Sequence, residues 1–337
     1  MIDAASFPKV SIIIPVYNGS NFLREAIDSA LSQTYPNIEV LVINDGSNDD
    51  GATESIALSY DNRIRYYAKT NGGVSSALNF GIEQMRGDYF AWLSHDDVYK
   101  PEKVQRQVEF LQKSHNIDTI IYGGYELIDA KSKKIGDVDF GKLYPTSKLN
   151  VPLFSVFRGL ANGCTMLIHK SHFERSGRFN EGLRTTQDYD LWFRMFRIAE
   201  VRFCPGLYVQ SRVHSMQNGR TNVQHDEECD KLWIQMLDQV KEEEMSEMEG
   251  DSYLFYYRTA QYLKRHSNYR NAEQHARKLA NEIALKLGKN HLQIGQKEPP
   301  LFMLSGNKIQ LIRRLIQNVN QEGLSTTILK IKRKLGK

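Results

Sequence analysis

The sequence predicts a doubly wound, mostly parallel α/β fold with an all-helical C-terminal extension, and three observations carry that reading. Apolar, β-branched runs alternate with helically spaced apolar residues through the first half of the chain. The runs are near-continuous, as expected of parallel strands covered on both faces. From about Gln224 onward such runs stop and only helical spacing is left.

Val10-Ser11-Ile12-Ile13-Ile14, stopped by Pro15, reads as a central parallel strand. Phe22, Leu23, Ala26, Ile27, Ala30 and Leu31 recur at helical spacing behind Asn21, a capping-type residue. Val40-Leu41-Val42-Ile43 is the next strand and ends in Asn44-Asp45-Gly46-Ser47, so the chain opens with a βαβ unit whose crossover is expected to be right-handed. Ile64-Arg65-Tyr66-Tyr67 continues the alternation, Asn71-Gly72-Gly73 leads into a helix from Val74 to Met85, and Tyr89-Phe90-Ala91-Trp92-Leu93 is a buried strand. A helix from Pro101 to Ser114 and the strand Thr119-Ile120-Ile121-Tyr122 follow. Residues 125–160 read as a hairpin and loops around the polar turn Asp129 to Lys134. Cys164-Thr165-Met166-Leu167-Ile168 is a further strand, Tyr189 to Met195 opens an amphipathic helix, and Leu207 to His214 is the last strand. In the extension, Leu232-Trp233, Met236-Leu237 and Val240, then Tyr253, Tyr256-Tyr257, Ala260 and Leu263, then Ala272 to Leu287 keep helical spacing. The expected organisation is an α/β domain over residues 1–223, divided near 122, a helical extension over 224–298, and a tail over 299–337 that begins at Pro299-Pro300.

Composition narrows the function classes. Hydrophobic residues at 41% and charged residues at 25% are ordinary for a soluble protein. A membrane-spanning helix needs about 18 consecutive apolar residues, and no such run exists. The start, Met1-Ile2-Asp3-Ala4-Ala5-Ser6, lacks the basic and apolar regions of a secretory signal. Cys164, Cys204 and Cys229 are far apart and cannot all pair, which fits a reducing cytoplasm. The net charge of +4 is unevenly spread, with residues 301–337 at +7 and residues 1–300 at −3, so the body carries no nucleic-acid footprint.

The richest chemistry lies in Leu93-Ser94-His95-Asp96-Asp97, two adjacent carboxylates directly behind a buried strand. The C-terminal edge of an open α/β sheet is where ligands bind. Adjacent carboxylates repel, and a divalent cation would keep both ionised. A solvated turn before the helix at Pro101 explains them equally well. The glycine turns match neither the dinucleotide fingerprint nor a P-loop, which weakens the dehydrogenase and ATPase classes.

The ordered set Pro15-Val16-Tyr17-Asn18, Gln33-Thr34-Tyr35, Asn44-Asp45-Gly46-Ser47, Asn71-Gly72-Gly73-Val74-Ser75, Leu93 to Asp97, Gly163-Cys164 and Gln187-Asp188-Tyr189-Asp190-Leu191-Trp192 resembles the family 2 glycosyltransferases, over residues 8 to about 220. The resemblance implies a GT-A type nucleotide-sugar fold and a metal-dependent, inverting transfer from a UDP-sugar to a glycan, glycolipid or glycoprotein hydroxyl. It also implies residue roles. Pro15, Val16, Tyr17, Asn18, Asp45, Asn71, Asn79 and Asp96 would bind the donor, with Asp45 on the uracil imide. Asp96, Asp97 and His214 would hold the cation, Mn²⁺ before Mg²⁺ because an imidazole joins the set. Asp97 would either assist as a ligand or hold the loop, and His95 beside Asp96 is a further imidazole candidate. Asp188 would be the general base, and Gly163, Cys164 and Trp192 would face the acceptor. Each role has a plainer counterpart: a turn cap for Asp45, core packing for Tyr17, a helix-dipole partner for Asp188 or Asp190. Two residues depart from the family pattern, Ser94 where many members carry an acid and Leu78 where many carry Arg.

Two other classes compete. Nucleotidyl transfer would want a basic glycine-rich loop near the first strand, which Tyr17-Asn18-Gly19-Ser20-Asn21 does not offer. A non-catalytic scaffold would keep the fold and use the extension for partners. In the tail, Leu324, Ile328, Ile331 and Leu335 share a helix face amid Lys330, Lys332, Arg333 and Lys334. Such a segment is expected either to lie on the inner membrane face as a peripheral contact, or to pack on protein, including a second copy of the chain.

Overall fold

The computed structural model describes residues 8–114, 116–214, 224–265 and 269–287. Strands β1 (Val10–Val16), β2 (Ile38–Asn44), β3 (Arg65–Ala68), β4 (Tyr89–Trp92) and β8 (Ile168–His169) form one sheet in the order β3-β2-β1-β4-β8. All its pairings are parallel except β4 with β8. Every residue of β1 is buried, because it is central and helices α1 (Leu23–Leu31) and α3 (Val74–Gln84) pack against it. Helix α2 (Ala52–Leu58) completes the connection between β2 and β3.

Strands β5 (Val98–Tyr99), β6 (Ile120–Ile128), β7 (Lys134–Val138) and β9 (Val201–Arg212) form a second sheet, ordered β5-β9-β6-β7. Strand β6 pairs in parallel with β9 from Ile120↔Val201 onward, and its register shifts at Gly123 and Gly124. A Cβ on Gly124 would sit 2.5 Å from the Val138 carbonyl oxygen, so glycine there lets β7 close against β6. A single bridge, Ile121↔Leu167, links the two sheets.

Helices α4 (Lys103–Ser114), α5 (Thr146–Leu149), α6 (Phe154–Phe157), α7 (Ser171–Ser176) and α8 (Gln187–Phe196) fill the connections. The first two residues of the expected Cys164–Ile168 strand lie instead in a tight turn over Gly163–Thr165. Asn162 caps that turn by accepting from the Cys164 amide at 2.9 Å. Asn21 does not cap α1, which starts after Phe22 without a side-chain cap.

The extension consists of α9 (His225–Gln239), α10 (Glu242–Glu249), α11 (Ser252–Lys264) and α12 (Arg270–Lys286). It shares the core of the α/β part. Phe157 of α6 meets Trp233 of α9 at 5.8 Å and Phe255 of α11 at 4.8 Å between ring centroids. Buried Glu249 pairs with Arg158 and with Arg258, so no buried charge at that contact is left alone. No described helix is long and apolar enough to cross a membrane. The expected basic tail, with Leu324, Ile328, Ile331 and Leu335, lies outside the described residues.

Candidate active site

The C-terminal ends of β1, β2 and β4 open onto a cleft of about 950 Å³, in the size range of small-molecule sites. On one side it is lined by Pro15, Val16, Tyr17, Asn18, Asp45, Asn71 and Asp96. In-register pairing of β1 with β2, Val16 opposite Asn44, brings the first two segments together. Asn18, at φ +48°, exchanges hydrogen bonds with Asn48 and donates from its amide to Ser47 Oγ, tying the two strand-end loops. Tyr17 is 45% exposed, so it is not a core residue. Asp45 is both cleft wall and cap: its carboxylate accepts from the Gly73 amide at 2.7 Å, the Gly72 amide at 3.0 Å and Lys69 Nζ at 2.8 Å, at the start of α3.

The two adjacent aspartates have different jobs. Asp96 Oδ2 accepts from His214 Nε2 at 2.9 Å. Burial pushes the Asp96 carboxyl up, but that bond and the charges of His95 and His214 outweigh it, and it lies below its ordinary value. Asp97 is buried, accepts from the Arg212 amide at 2.9 Å, and is pushed up to about 7 by burial and by the charge of Asp96. Asp97 therefore holds the loop. The expected three-residue metal set is not assembled: among the described residues no group of three such donors surrounds one point. Asp96 with His214 supplies an oxygen and a nitrogen side by side, a fit for one edge of a divalent site. His214 Nδ1 is buried and has no hydrogen-bond partner among the described residues.

Arg212 organises this corner. Its fully buried guanidinium donates to the Asp96 carbonyl at 2.7 Å and to Ser132 Oγ at 2.9 Å, pairs with Glu25, and lies 4.5 Å over the Phe22 ring. Phe22 in turn packs on His214 at 5.1 Å.

The opposite wall comes from residues 159–164 and 183–189. Gly163 and Cys164 line it. A Cβ on Gly163 would sit 2.5 Å from the Trp92 ring, which requires glycine for this close approach. Asp188, at the start of α8, accepts from the Tyr189 amide at 2.9 Å. Burial pushes its carboxyl up to about 6, and the charge of Glu228 adds to the rise. Asp190 is engaged elsewhere, in an i,i+4 pair with Arg194 at 2.8 Å.

Two predicted site residues are not in the cleft. Trp192 is fully buried against Phe179 and Phe196, so it belongs to the core rather than to the acceptor wall. Asn79 does not touch the donor side. Its carboxamide grips both backbone groups of Phe179, at 2.9 and 3.0 Å, and Glu181 at 2.9 Å.

Sequence reasoning missed Lys69, Trp92, Arg184 and Arg212. Lys69 follows the end of β3 directly, so the strand-end rule that flags Asp45 and Asp96 would also have found it. Arg184 reaches from the second wall to the Gly72 carbonyl at 3.3 Å. It places a cation beside the loop gripped by Asp45, whereas Leu78 is fully buried. No local signal marks Arg212.

The model for the family described as glycosyl transferase family 2 matches residues 11–175. A glycosyltransferase of Rickettsia prowazekii is 43% identical over 324 residues, 96% of this chain and 95% of the relative. The chain belongs to glycosyl transferase family 2. A glycosyltransferase of Rickettsia felis is 51% identical over 276 residues, 82% of this chain but 46% of the relative. The chain thus spans about half the length of that relative, and 45% and 40% of the two from Rickettsia conorii and Rickettsia bellii. The crystal structure of S. aureus TarS 1–349 in complex with UDP-GlcNAc is similar in fold, with a TM-score of 0.54, 16% identity, and coverage of 84% of this chain and 93% of that one. An alignment over 324 of 337 residues necessarily includes most of α9 to α12, so the helical extension is shared with the Rickettsia prowazekii relative.

Proposed function

We propose that this glycosyltransferase inverts the anomeric carbon as it moves a sugar from a UDP-sugar to the hydroxyl of a glycan, glycolipid or glycoprotein. The observation that supports this most is a separation of carboxylates within one cleft: Asp188 is raised to about 6 while Asp96 is held below its ordinary value. Environments that push two acids apart assign them different roles.

In this reading Asp188 takes the proton of the acceptor hydroxyl as that oxygen bonds to the sugar C1, and the bond from C1 to the diphosphate breaks on the opposite face. The proton ends on Asp188, the electron pair on UDP. Asp45, with Lys69, Gly72 and Gly73, would hold the uracil side. Asp96 and His214 would hold a divalent cation, Mn²⁺ before Mg²⁺ on the strength of the imidazole. When bound, the cation would offset charge gathering on the departing diphosphate. Trp92 and Gln187 line the cleft, and Trp92 Nε1 and Gln187 Oε1 are buried without partners among the described residues. S. aureus TarS 1–349 forms complexes with UDP and with UDP-GlcNAc, which makes UDP the first nucleotide to test.

The test is hydrolysis of a panel of UDP-sugars with Mn²⁺, Mg²⁺ or chelator. Asp96→Ala is expected to abolish the metal-stimulated rate and leave the thermal unfolding midpoint close to wild type. Undiminished activity of that variant in Mn²⁺ would remove Asp96 from the metal role.

A further inference from the structure

We infer that Glu228, from the first helix of the extension, is the positioning residue that sets the loop carrying the base. This rests on the proposed role of Asp188. The Glu228 carboxylate gathers five donors from three consecutive residues: the Arg184 amide at 2.9 Å, the Thr185 and Thr186 amides at 2.7 and 2.8 Å, and the Thr185 and Thr186 hydroxyls, both at 2.9 Å. Successive amides converging on one carboxylate form an anion nest, and charge-assisted bonds of this length are the strong kind. The next residues are Gln187 and Asp188, so the backbone that aims the base is fastened from outside the α/β part.

Three further observations support a role in aiming rather than general packing. Arg184, Thr185, Gln187 and Asp188 all line the cleft, so the fastened segment is the wall itself. Arg184 also reaches Gly72, joining the same segment to the loop gripped by Asp45. The extension shares the core of the α/β part, which gives Glu228 a rigid base on α9. Of the charged and titratable groups around Asp188, Glu228 raises its carboxyl and Tyr189 and Cys229 lie beside it.

The experiment uses the full chain. Glu228→Gln keeps the volume, removes the charge, and turns an amide toward a backbone N–H. A Thr185→Val/Thr186→Val variant removes two donors but leaves the charge. Lys231→Ala, an exposed pair with Glu227 on the same helix, is the control. Hydrogen exchange of the 184–186 amides, UDP affinity, and the pH profile of UDP-sugar turnover are measured on each. Glu228→Gln is expected to speed exchange at 184–186 at least tenfold, to leave UDP affinity within about twofold, and to lower the turnover number by roughly ten- to a hundredfold, the scale of a misplaced catalytic group. Its acidic limb should also move to lower pH, because a negative neighbour of Asp188 has gone. The threonine variant should lose rate without that movement. Unchanged exchange in Glu228→Gln would overturn the fastening, and faster exchange with an unchanged rate and limb would overturn its effect on the base. Wild-type chain inert toward every UDP-sugar would instead remove the transferase reading, and exchange alone would then decide whether Glu228 sets the loop.

Discussion

The two walls of the cleft are built by different means. The wall proposed to hold the donor is assembled at the ends of three parallel strands, and adjacent strand pairing carries Val16, Asn44 and Asp45 to one edge. On the other wall Asp188 sits at the start of a helix rather than at a strand end. The shape of that wall comes from side chains reaching across the fold: Asn79 to Phe179, Glu228 to Thr185 and Thr186, Trp92 against Gly163. Strand ends are where open α/β sheets bind ligands, so the proposed nucleotide site rests on strand pairing, whereas the second wall rests on side chains set by distant parts of the chain.

The largest expected effect separates the walls directly. Asp188→Asn should cut transfer by about a hundredfold to ten-thousandfold, the worth of a positioned base, with UDP affinity within about twofold of wild type. Asp45→Asn should do the reverse. It leaves Lys69 facing an amide and weakens UDP binding by roughly tenfold, while turnover at saturating donor changes little. Titration calorimetry with UDP and steady-state transfer rates check both. A greater loss from Asp190→Asn than from Asp188→Asn would show that the wrong carboxylate had been chosen.

A smaller effect concerns pH. Asp188 is raised to about 6, so it stays protonated to a higher pH than an ordinary carboxyl and is the competent base only above that value. The ratio kcat/KM should therefore fall about tenfold for each pH unit below about 6 and level off above it. UDP affinity, set on the other wall, should not follow this limb. An acidic limb near 4, shared by turnover and UDP binding, would mean that Asp188 is not the titrating group.

The same contrast explains how far the chain could be read from sequence. Strands β1, β2 and β4 announce themselves as apolar runs, and the polar residues just behind them, Asp45 and Asp96, follow at the expected edge. The strands of the second sheet are legible in part, but their pairing is not, because β6 and β9 pair across eighty residues and the register depends on Gly123, Gly124 and Gly206. Asp97 reads like Asp96 in sequence, and distant partners tell them apart: the Arg212 amide for Asp97 and His214 for Asp96. Trp192 and Asn79 were assigned to the site because family likeness records which residues recur, not whether they touch ligand or hold what does. Glu228 stands beside Asp226 and Glu227 in one acidic helix turn, so nothing local distinguishes the residue that fastens the loop.

The smallest effect tests whether the second wall depends on distant support. Asn79 is 8% exposed and clasps the amide and carbonyl of Phe179 as a neighbouring strand would. Phe179 meets Trp92 at 6.0 Å and Trp192 at 5.9 Å, so the clasp fixes the ring that presents Trp92 to the cleft. Asn79→Ala leaves the buried amide and carbonyl of Phe179 without partners, which should lower stability by about 1–3 kcal/mol. Denaturant unfolding would measure that loss. Turnover should fall by less than about tenfold, because Asp188 is held separately, by α8 and Glu228. Asn79→Asp keeps the size but turns an oxygen toward the Phe179 carbonyl and the Glu181 carboxylate, so it should destabilise more than alanine does at neutral pH. UDP affinity should be unchanged in both variants. If Asn79→Ala weakened UDP binding as much as Asp45→Asn, Asn79 would belong to the donor wall after all, and the division between strand-built and side-chain-built walls would fail at that residue.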